Sequence, residues 1–212
     1  MTTPVEATLA YAEQFHHEDE ILHAARQRGL EMGATPILPG GGAALCFLAT
    51  VINAKSVVEI GTGCGVSGLW LLRGMRSDGT LTSVDVEPEH QRLARQAFTE
   101  AGFSGSRVRL ISGRALDVLP RLSDGGYDMV FADGAKHEYA DYLAEAVRLL
   151  RVGGIVAFDN MLWHNRVADP TQRDTDTVAL REVGKLVQSD ERLRSVLMPL
   201  GDGLLAAVKI SD

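Results

Sequence analysis

From residue 55 onward the apolar residues fall into two kinds of stretch. Short, nearly continuous β-branched runs predict strands at 56–60, 81–85, 108–112, 127–133 and 155–159. Between them, apolar positions recurring three and four apart predict helices at 66–75, 87–101, 114–121 and 139–150. Strands that are apolar throughout are covered on both faces, and helical crossovers between them make parallel βαβ units. A loop at 163–173 and a helix at 177–188 follow, then strands at 194–198 and 204–210. The 199–203 turn is too short for anything but an antiparallel pair. The expected fold class is therefore α/β: an open, mostly parallel seven-stranded sheet with helices on both faces and an antiparallel C-terminal hairpin.

The pattern before residue 55 differs. Residues 5–28 read as one polar helix whose apolar stripe, Leu9, Phe15, Ile21 and Leu22, is thin, so it packs only in part, against a second subunit. Residues 33–42 hold Pro36, Pro39 and the run Gly40-Gly41-Gly42, which predicts a loop, and 43–53 read as a buried helix. Residues 1–53 are thus expected to be a helical extension of a single domain spanning 1–212.

Composition narrows the function. Hydrophobic residues at 45% and charged residues at 23% are globular proportions, which removes disorder. A net charge of −7 argues against a surface that grips nucleic acid or anionic lipid. Cys46 and Cys64 form no spaced framework, so a disulfide scaffold is excluded and a reducing compartment is expected. The N-terminus lacks the basic head and apolar stretch of a signal peptide, and the longest apolar run, 43–52, is too short to span a bilayer. A cytoplasmic location follows as an expectation, with no membrane partner. His16, His17 and His23 lie on the first helix with nothing to complete a zinc site.

In an open α/β sheet ligands bind outside the carboxyl ends of the strands, and this chain's unusual residues are concentrated there. After the first strand comes Gly61-Thr62-Gly63-Cys64-Gly65-Val66-Ser67-Gly68, whose second half satisfies G-x-G-x-x-G. That pattern alone is weak and leaves a nicotinamide enzyme open. Asp85, ending the second strand, suits a ribose diol in a nicotinamide or an adenosyl cofactor alike. Glu59, two residues before the first glycine, favours the second, because a carboxylate repels pyrophosphate and attracts the ammonium end of S-adenosylmethionine. The fourth and fifth strands end in Asp133 and in Asp159-Asn160. On adjacent parallel strands these hard oxygen donors suit Mg²⁺, or the similar Mn²⁺ and Ca²⁺, although each strand end alone reads as a cap or Asx turn.

With these segments in view the chain resembles the cation-dependent class I O-methyltransferases, the group of catechol and caffeoyl-CoA O-methyltransferases. The matching segments are VEIGTGCG at 58–65, SVDVEP at 83–88, FADGAK at 131–136, FDNMLW at 158–163 and GDGL at 201–204. The resemblance implies a Rossmann-like fold, and that Glu59, Gly61, Thr62, Gly63 and Ser67 hold the methionine end of S-adenosylmethionine. By the same resemblance Asp85 binds the ribose, Val86 and Ala115 lie at the adenine, and Ile37 and Asp133 contact the cofactor. Asp133, Asp159 and Asn160 match the metal ligands, Lys136 the general base, and Trp163 and His164 the substrate wall. Family habit adds a homodimer. Two departures stand out: Ala135 replaces an acid of the usual D-A-D-K, and Gly40–Gly42 replaces a stretch usually carrying Glu or Gln.

These assignments imply methyl transfer to a hydroxyl of a small catechol-like or hydroxycinnamoyl-type acceptor. A cation on Asp133, Asp159 and Asn160 lowers the hydroxyl pKa and aims it, and Lys136 takes the proton. Two alternatives stay open. A hydroxyuridine of tRNA is disfavoured by the charge of −7. An NAD-dependent oxidoreductase gives no role to Asp159-Asn160. The 163–173 loop is long enough to be a lid.

Overall fold

A computed structural model describes residues 4–103 and 105–212. Its helices are α1 (Pro4–Gln14), α2 (Glu20–Glu31), α3 (Pro39–Val51), α4 (Val66–Gly74), α5 (Pro88–Glu100), α6 (Ala115–Val118), α7 (Tyr139–Leu149) and α8 (Thr175–Ser189). The strands are β1 (Ser56–Ile60), β2 (Thr80–Asp85), β3 (Val108–Ser112), β4 (Tyr127–Ala132), β5 (Leu150–Phe158), β6 (Leu193–Met198) and β7 (Leu204–Lys209). They form one sheet in the order β3-β2-β1-β4-β5-β7-β6. Pairs from β3 to β5 are parallel, and β7 runs antiparallel to both β5 and β6. The mostly parallel sheet and antiparallel C-terminal hairpin are therefore as the sequence predicts.

Alternation along the strands divides the core into two layers. Val57, Leu81, Met129, Phe131 and Ile155 meet residues of α2, α3, α4 and α5, such as Leu22, Leu45, Leu69 and Phe98. Their neighbours Val58, Ile60, Val84, Val130 and Val156 meet Ala115, Tyr142, Leu143 and Leu180 from α6, α7 and α8. Because β1 pairs in register with β2 as Glu59↔Ser83, those two polar residues stand side by side among the apolar positions of the first layer.

Three expectations change. The single helix at 5–28 is two helices, because the Asp19 carboxylate accepts the Leu22 N–H at 3.0 Å and starts α2 afresh. The glycine run is no loop but the first turn of α3, entered by Pro39. Its glycines are needed for close packing: a Cβ on Gly42 would collide with the Trp70 ring, and one on Gly41 would lie 2.9 Å from Ile37 Cγ1. β5 begins five residues early, at Leu150, which pairs with Tyr127 across a register irregularity before the regular ladder starts at Met129↔Ile155.

α1 buries none of its residues and leaves Val5, Leu9 and Tyr11 exposed, as is Phe15 just after it. It is held by Glu13, whose carboxylate accepts the Gly40 N–H at 2.8 Å and the Gly201 N–H. Among the described residues no helix is long and apolar enough to cross a membrane.

Candidate active site

The carboxyl edge of the sheet is built stepwise, each strand-end residue adding one more backbone bond to its neighbour. Gly61 N–H donates to Val84 O (2.9 Å), Asp133 N–H to Ile60 O (2.8 Å) and Asp159 N–H to Ala132 O (3.1 Å). Above this edge opens a cavity of about 560 Å³, a size suited to a nucleoside-type ligand. Of the residues singled out from the sequence, Ile37, Gly61, Thr62, Gly63, Ser67, Asp85, Val86 and Ala115 line one end of it. Asp133, Lys136, Asn160, Trp163 and His164 line the other.

At the first end the glycine loop is tied to the next strand. Asp85 Oδ2 accepts the Gly63 N–H at 2.9 Å, and Asp85 Oδ1 accepts the Glu87 N–H at 2.8 Å. Gly63 has φ +48° with open space where a Cβ would stand, so the backbone faces a free volume that a ligand can approach closely. His90, which sequence reasoning missed, also lines the cavity, with Nδ1 3.8 Å from Asp85 Oδ2.

Glu59 is placed differently from the sequence argument. It is 0% exposed and lies behind the wall, not on it. Ser67 Oγ donates to its Oε1 at 2.6 Å and Ser83 Oγ to its Oε2 at 2.5 Å. Burial, helped by the charges of Asp85 and Asp133, outweighs those hydrogen bonds and raises its pKa to about 7. Its influence on a ligand passes through the Ser67 hydroxyl.

The second end gathers charge. Lys136, buried, donates from Nζ to Asp133 Oδ1 at 2.7 Å and to Tyr139 Oη at 2.8 Å. Tyr139, wholly buried, donates in turn to the carbonyls of Asp159 (3.1 Å) and Ala132 (3.3 Å). The Trp163 ring lies 5.8 Å from Lys136 Nζ, and His164 stacks on Trp163 with ring centroids 5.4 Å apart. Asp159 is buried just beneath the surface of the cavity; burial, and after it the negative charge of Asp133, raise its pKa to about 7. Asp133 is raised as well, by burial, against the pull of Lys136.

Asp202, in the turn between β6 and β7, completes this end. It accepts the His164 N–H at 2.6 Å and lies 3.5 Å from Asn160 Nδ2. Leu162 N–H donates to Asp202 O and Met161 N–H to Gly203 O, which seats the hairpin turn on the loop after β5. GDGL was visible in the sequence only as a matching motif; nothing local placed its acid beside Asn160.

Backbone strain is concentrated here too. Asn160, Trp163, His164 and Asn165 all have positive φ, at 61°, 46°, 54° and 68°. Such non-glycine residues persist where the surroundings fix them, and they cluster at ligand sites. The loop that follows is not a free lid: Arg181 of α8 donates to the carbonyls of Arg166, Val167, Asp169 and Gln172.

Among the described residues no group of three or more His, Cys, Asp and Glu is gathered as a metal site. The set the sequence pointed to is of another kind, two carboxylates and an amide. Asp133, Asp159 and Asn160 follow the ends of the paired strands β4 and β5, and their hard oxygens, Asp159 buried and Asp133 at the cavity with Lys136 bonded to one of its oxygens, fit a divalent cation.

A glycine turn after β1, an acid after β2 and a charged far wall define a nucleoside-cofactor-binding α/β enzyme. Comparison with known proteins makes the class specific: the O-methyltransferase family model matches residues 13–210, and the chain belongs to that family. A Mycobacterium tuberculosis protein described as a probable O-methyltransferase is 53% identical over 204 residues, covering 96% of this chain and 91% of its own length. A solved Corynebacterium glutamicum protein superposes with a TM-score of 0.91 at 32% identity, over 99% of each chain. The O-methyltransferase TomG of Streptomyces achromogenes, involved in tomaymycin synthesis and solved with S-adenosylmethionine, gives a TM-score of 0.84 at 29% identity, over 97% and 96% of the chains. Family membership removes the oxidoreductase alternative.

Proposed function

We propose that this chain uses S-adenosylmethionine and a divalent cation to methylate a hydroxyl on a small acceptor with neighbouring oxygens, such as a catechol or hydroxycinnamoyl compound. The observation that carries this reading is the continuity of one cavity from Asp85 and the glycine loop to Asp133, Lys136 and Asn160. S-adenosylmethionine supplies an electrophilic methyl group. A cation held by Asp133, Asp159 and Asn160 supplies Lewis acidity that favours an ionised acceptor oxygen.

The remaining work falls to this chain. Asp85 receives the ribose hydroxyls while holding the Gly63 amide. Val86 and Ala115 flank the base, Ile37 contacts the cofactor, and Ser67 and Thr62 face the amino-acid end. Lys136 Nζ, with two of its hydrogen-bond directions fixed by Asp133 and Tyr139, holds the proton that the acceptor hydroxyl gives up. Trp163 and His164 wall the acceptor side. The exposed apolar face of α1 supports a homodimer, to be checked by light scattering at micromolar concentration. The charge of −7 disfavours a nucleic acid acceptor.

The test uses purified protein, labelled S-adenosylmethionine and a panel of acceptors. Activity should vanish with EDTA and return with Mg²⁺ or Mn²⁺. The double variant Asp159→Ala with Asn160→Ala should lose transfer while still binding S-adenosylmethionine. Full activity on a confirmed acceptor after exhaustive chelation refutes the metal assignment.

A further inference from the structure

Behind the glycine loop lies a chain of four hydrogen-bonding side chains that reaches the cavity at both ends. Thr62 Oγ1 is 2.7 Å from Ser83 Oγ, Ser83 Oγ is 2.5 Å from Glu59 Oε2, and Ser67 Oγ is 2.6 Å from Glu59 Oε1. All four are buried, but Thr62 and Ser67, 1% and 7% exposed, belong to the cavity lining, and Ser83 and Glu59, at 0%, lie behind it. Register explains the meeting: Glu59 and Ser83 are partners across β1 and β2, and Ser67 comes down from the first turn of α4.

The directions of these bonds follow from counting protons. Once Glu59 is ionised its carboxylate only accepts, so the single hydroxyl protons of Ser67 and Ser83 both go to it. Ser83 then has none left for Thr62, and the 2.7 Å contact between them requires Thr62 to donate. Both wall hydroxyls have thereby spent their protons inward. They present only lone pairs to the cavity, a surface that accepts from an ammonium and offers nothing to a phosphate or carboxylate oxygen.

We propose that Ser83 is a positioning residue that, by passing the polarity of Glu59 on to Thr62, makes this wall acceptor-only and selects a cofactor with a cationic end there. The inference rests on the assignment of S-adenosylmethionine made above. Besides its two serine donors, the charged groups acting on Glu59 are Asp85 after β2 and Asp133 after β4, both acidic. Loss of the Ser83 hydroxyl therefore leaves Glu59 harder to ionise and lets Thr62 turn its proton into the cavity.

The experiment compares wild type, Ser83→Ala, Ser83→Thr and Thr62→Val. Calorimetric titration with S-adenosylmethionine between pH 6 and 8.5 reads affinity, and the infrared band of protonated Glu59, identified by its absence in Glu59→Gln, reads ionisation in the ligand-free protein. Wild-type binding should tighten as Glu59 ionises. Ser83→Ala should bind about 10-fold more weakly at pH 8.5 and carry both midpoints to higher pH, while Ser83→Thr, which keeps the hydroxyl, restores the wild-type behaviour. Thr62→Val should lose similar affinity with the Glu59 band unmoved, and it tests the chain even where Ser83→Ala does not fold. Wild-type affinity in Thr62→Val, or a Ser83→Ala loss that is equal at every pH with an unshifted band, overturns the inference. Failure of the wild type itself to bind S-adenosylmethionine overturns the cofactor assignment and this inference with it.

Discussion

Replacing Glu59 by Gln separates what its charge costs the fold from what it does for a ligand. In the folded protein the acid holds its proton until about pH 7, against 4.5 for a free side chain. Between those values the folded chain keeps a proton that the unfolded chain has released, so stability falls as pH rises through this window. The contribution is fully present below pH 4.5. Above pH 7 it is gone, and the loss amounts to roughly 3 kcal/mol at ~1.4 kcal/mol per pH unit. Gln has nearly the same shape, keeps an oxygen for one serine and turns an amide toward the other, and carries no such pH term. Other titrating groups cancel in the comparison of the two proteins. The gap in thermal midpoint between Glu59→Gln and wild type, measured without cofactor, should therefore widen in favour of the variant from pH 5 to pH 8.5. Part of that loss has already occurred at pH 5, so at ~2–4 °C per kcal/mol for a chain of this size the change is about 5–10 °C. The same variant should bind S-adenosylmethionine at least ~10-fold more weakly at pH 8, because the Ser67 acceptor loses the anion behind it. Parallel melting curves across the pH range would refute the argument, since Glu59 would then not be the group holding the late proton.

Other variants probe separate parts of the molecule. Asp85→Ala removes the anchor of the Gly63 amide and with it the proposed ribose acceptor, and should weaken S-adenosylmethionine binding by ~1.5–3 kcal/mol in calorimetry; unchanged affinity removes Asp85 from the site. Gly42→Ala forces a methyl into the Trp70 ring and should cost ~1–3 kcal/mol in urea unfolding, with cofactor affinity retained. Glu13→Gln weakens the clamp on the Gly40 and Gly201 amides and should raise proteolysis of α1 before any change in the global melting temperature, because that helix buries nothing else.

The sheet was legible because its parallel strands are short apolar or β-branched runs alternating with stretches of helical period, a signal that needs no knowledge of neighbours. Elements that depend on a distant partner were not. Gly40–Gly42 looks like a loop until the Trp70 ring from α4 is placed against it, after which a helix without side chains is what fits. The start of β5 lies in Arg151-Val152-Gly153-Gly154, which reads as a turn, yet Leu150 pairs with Tyr127. The loop after Trp163 has a lid's length, but Arg181, on a helix beyond the loop, caps four of its carbonyls. At the site, strand-end residues were found by the rule that ligands lie outside carboxyl ends. Tyr139, Ser83 and Asp202 escaped that rule, since two are buried beneath the edge and the third arrives from the last hairpin.

The two ends of the cavity spend acidic residues in opposite ways, and chemistry gives a reason. At the cofactor end Glu59 is sealed behind two serines, so its charge reaches the cavity only as the orientation of hydroxyl groups. A bare carboxylate there would pair with any cation, including the one proposed for the other end. Screening it by one hydroxyl leaves a wall fitted to a hydrogen-bonding ammonium and poor for a metal ion, which needs anionic oxygen at short range. At the acceptor end Asp133 and Asn160 face the cavity directly, with Asp159 just beneath, and Lys136 donates to Asp133. Removing the screen should change the preference: Ser67→Ala takes the hydroxyl from over Glu59, raises that acid's pKa further, and at a pH high enough to ionise it should weaken S-adenosylmethionine binding while making it sensitive to free Mg²⁺. Calorimetry with and without the ion measures this, and an affinity that falls with no dependence on Mg²⁺ shows that the hydroxyl serves only as a ligand contact.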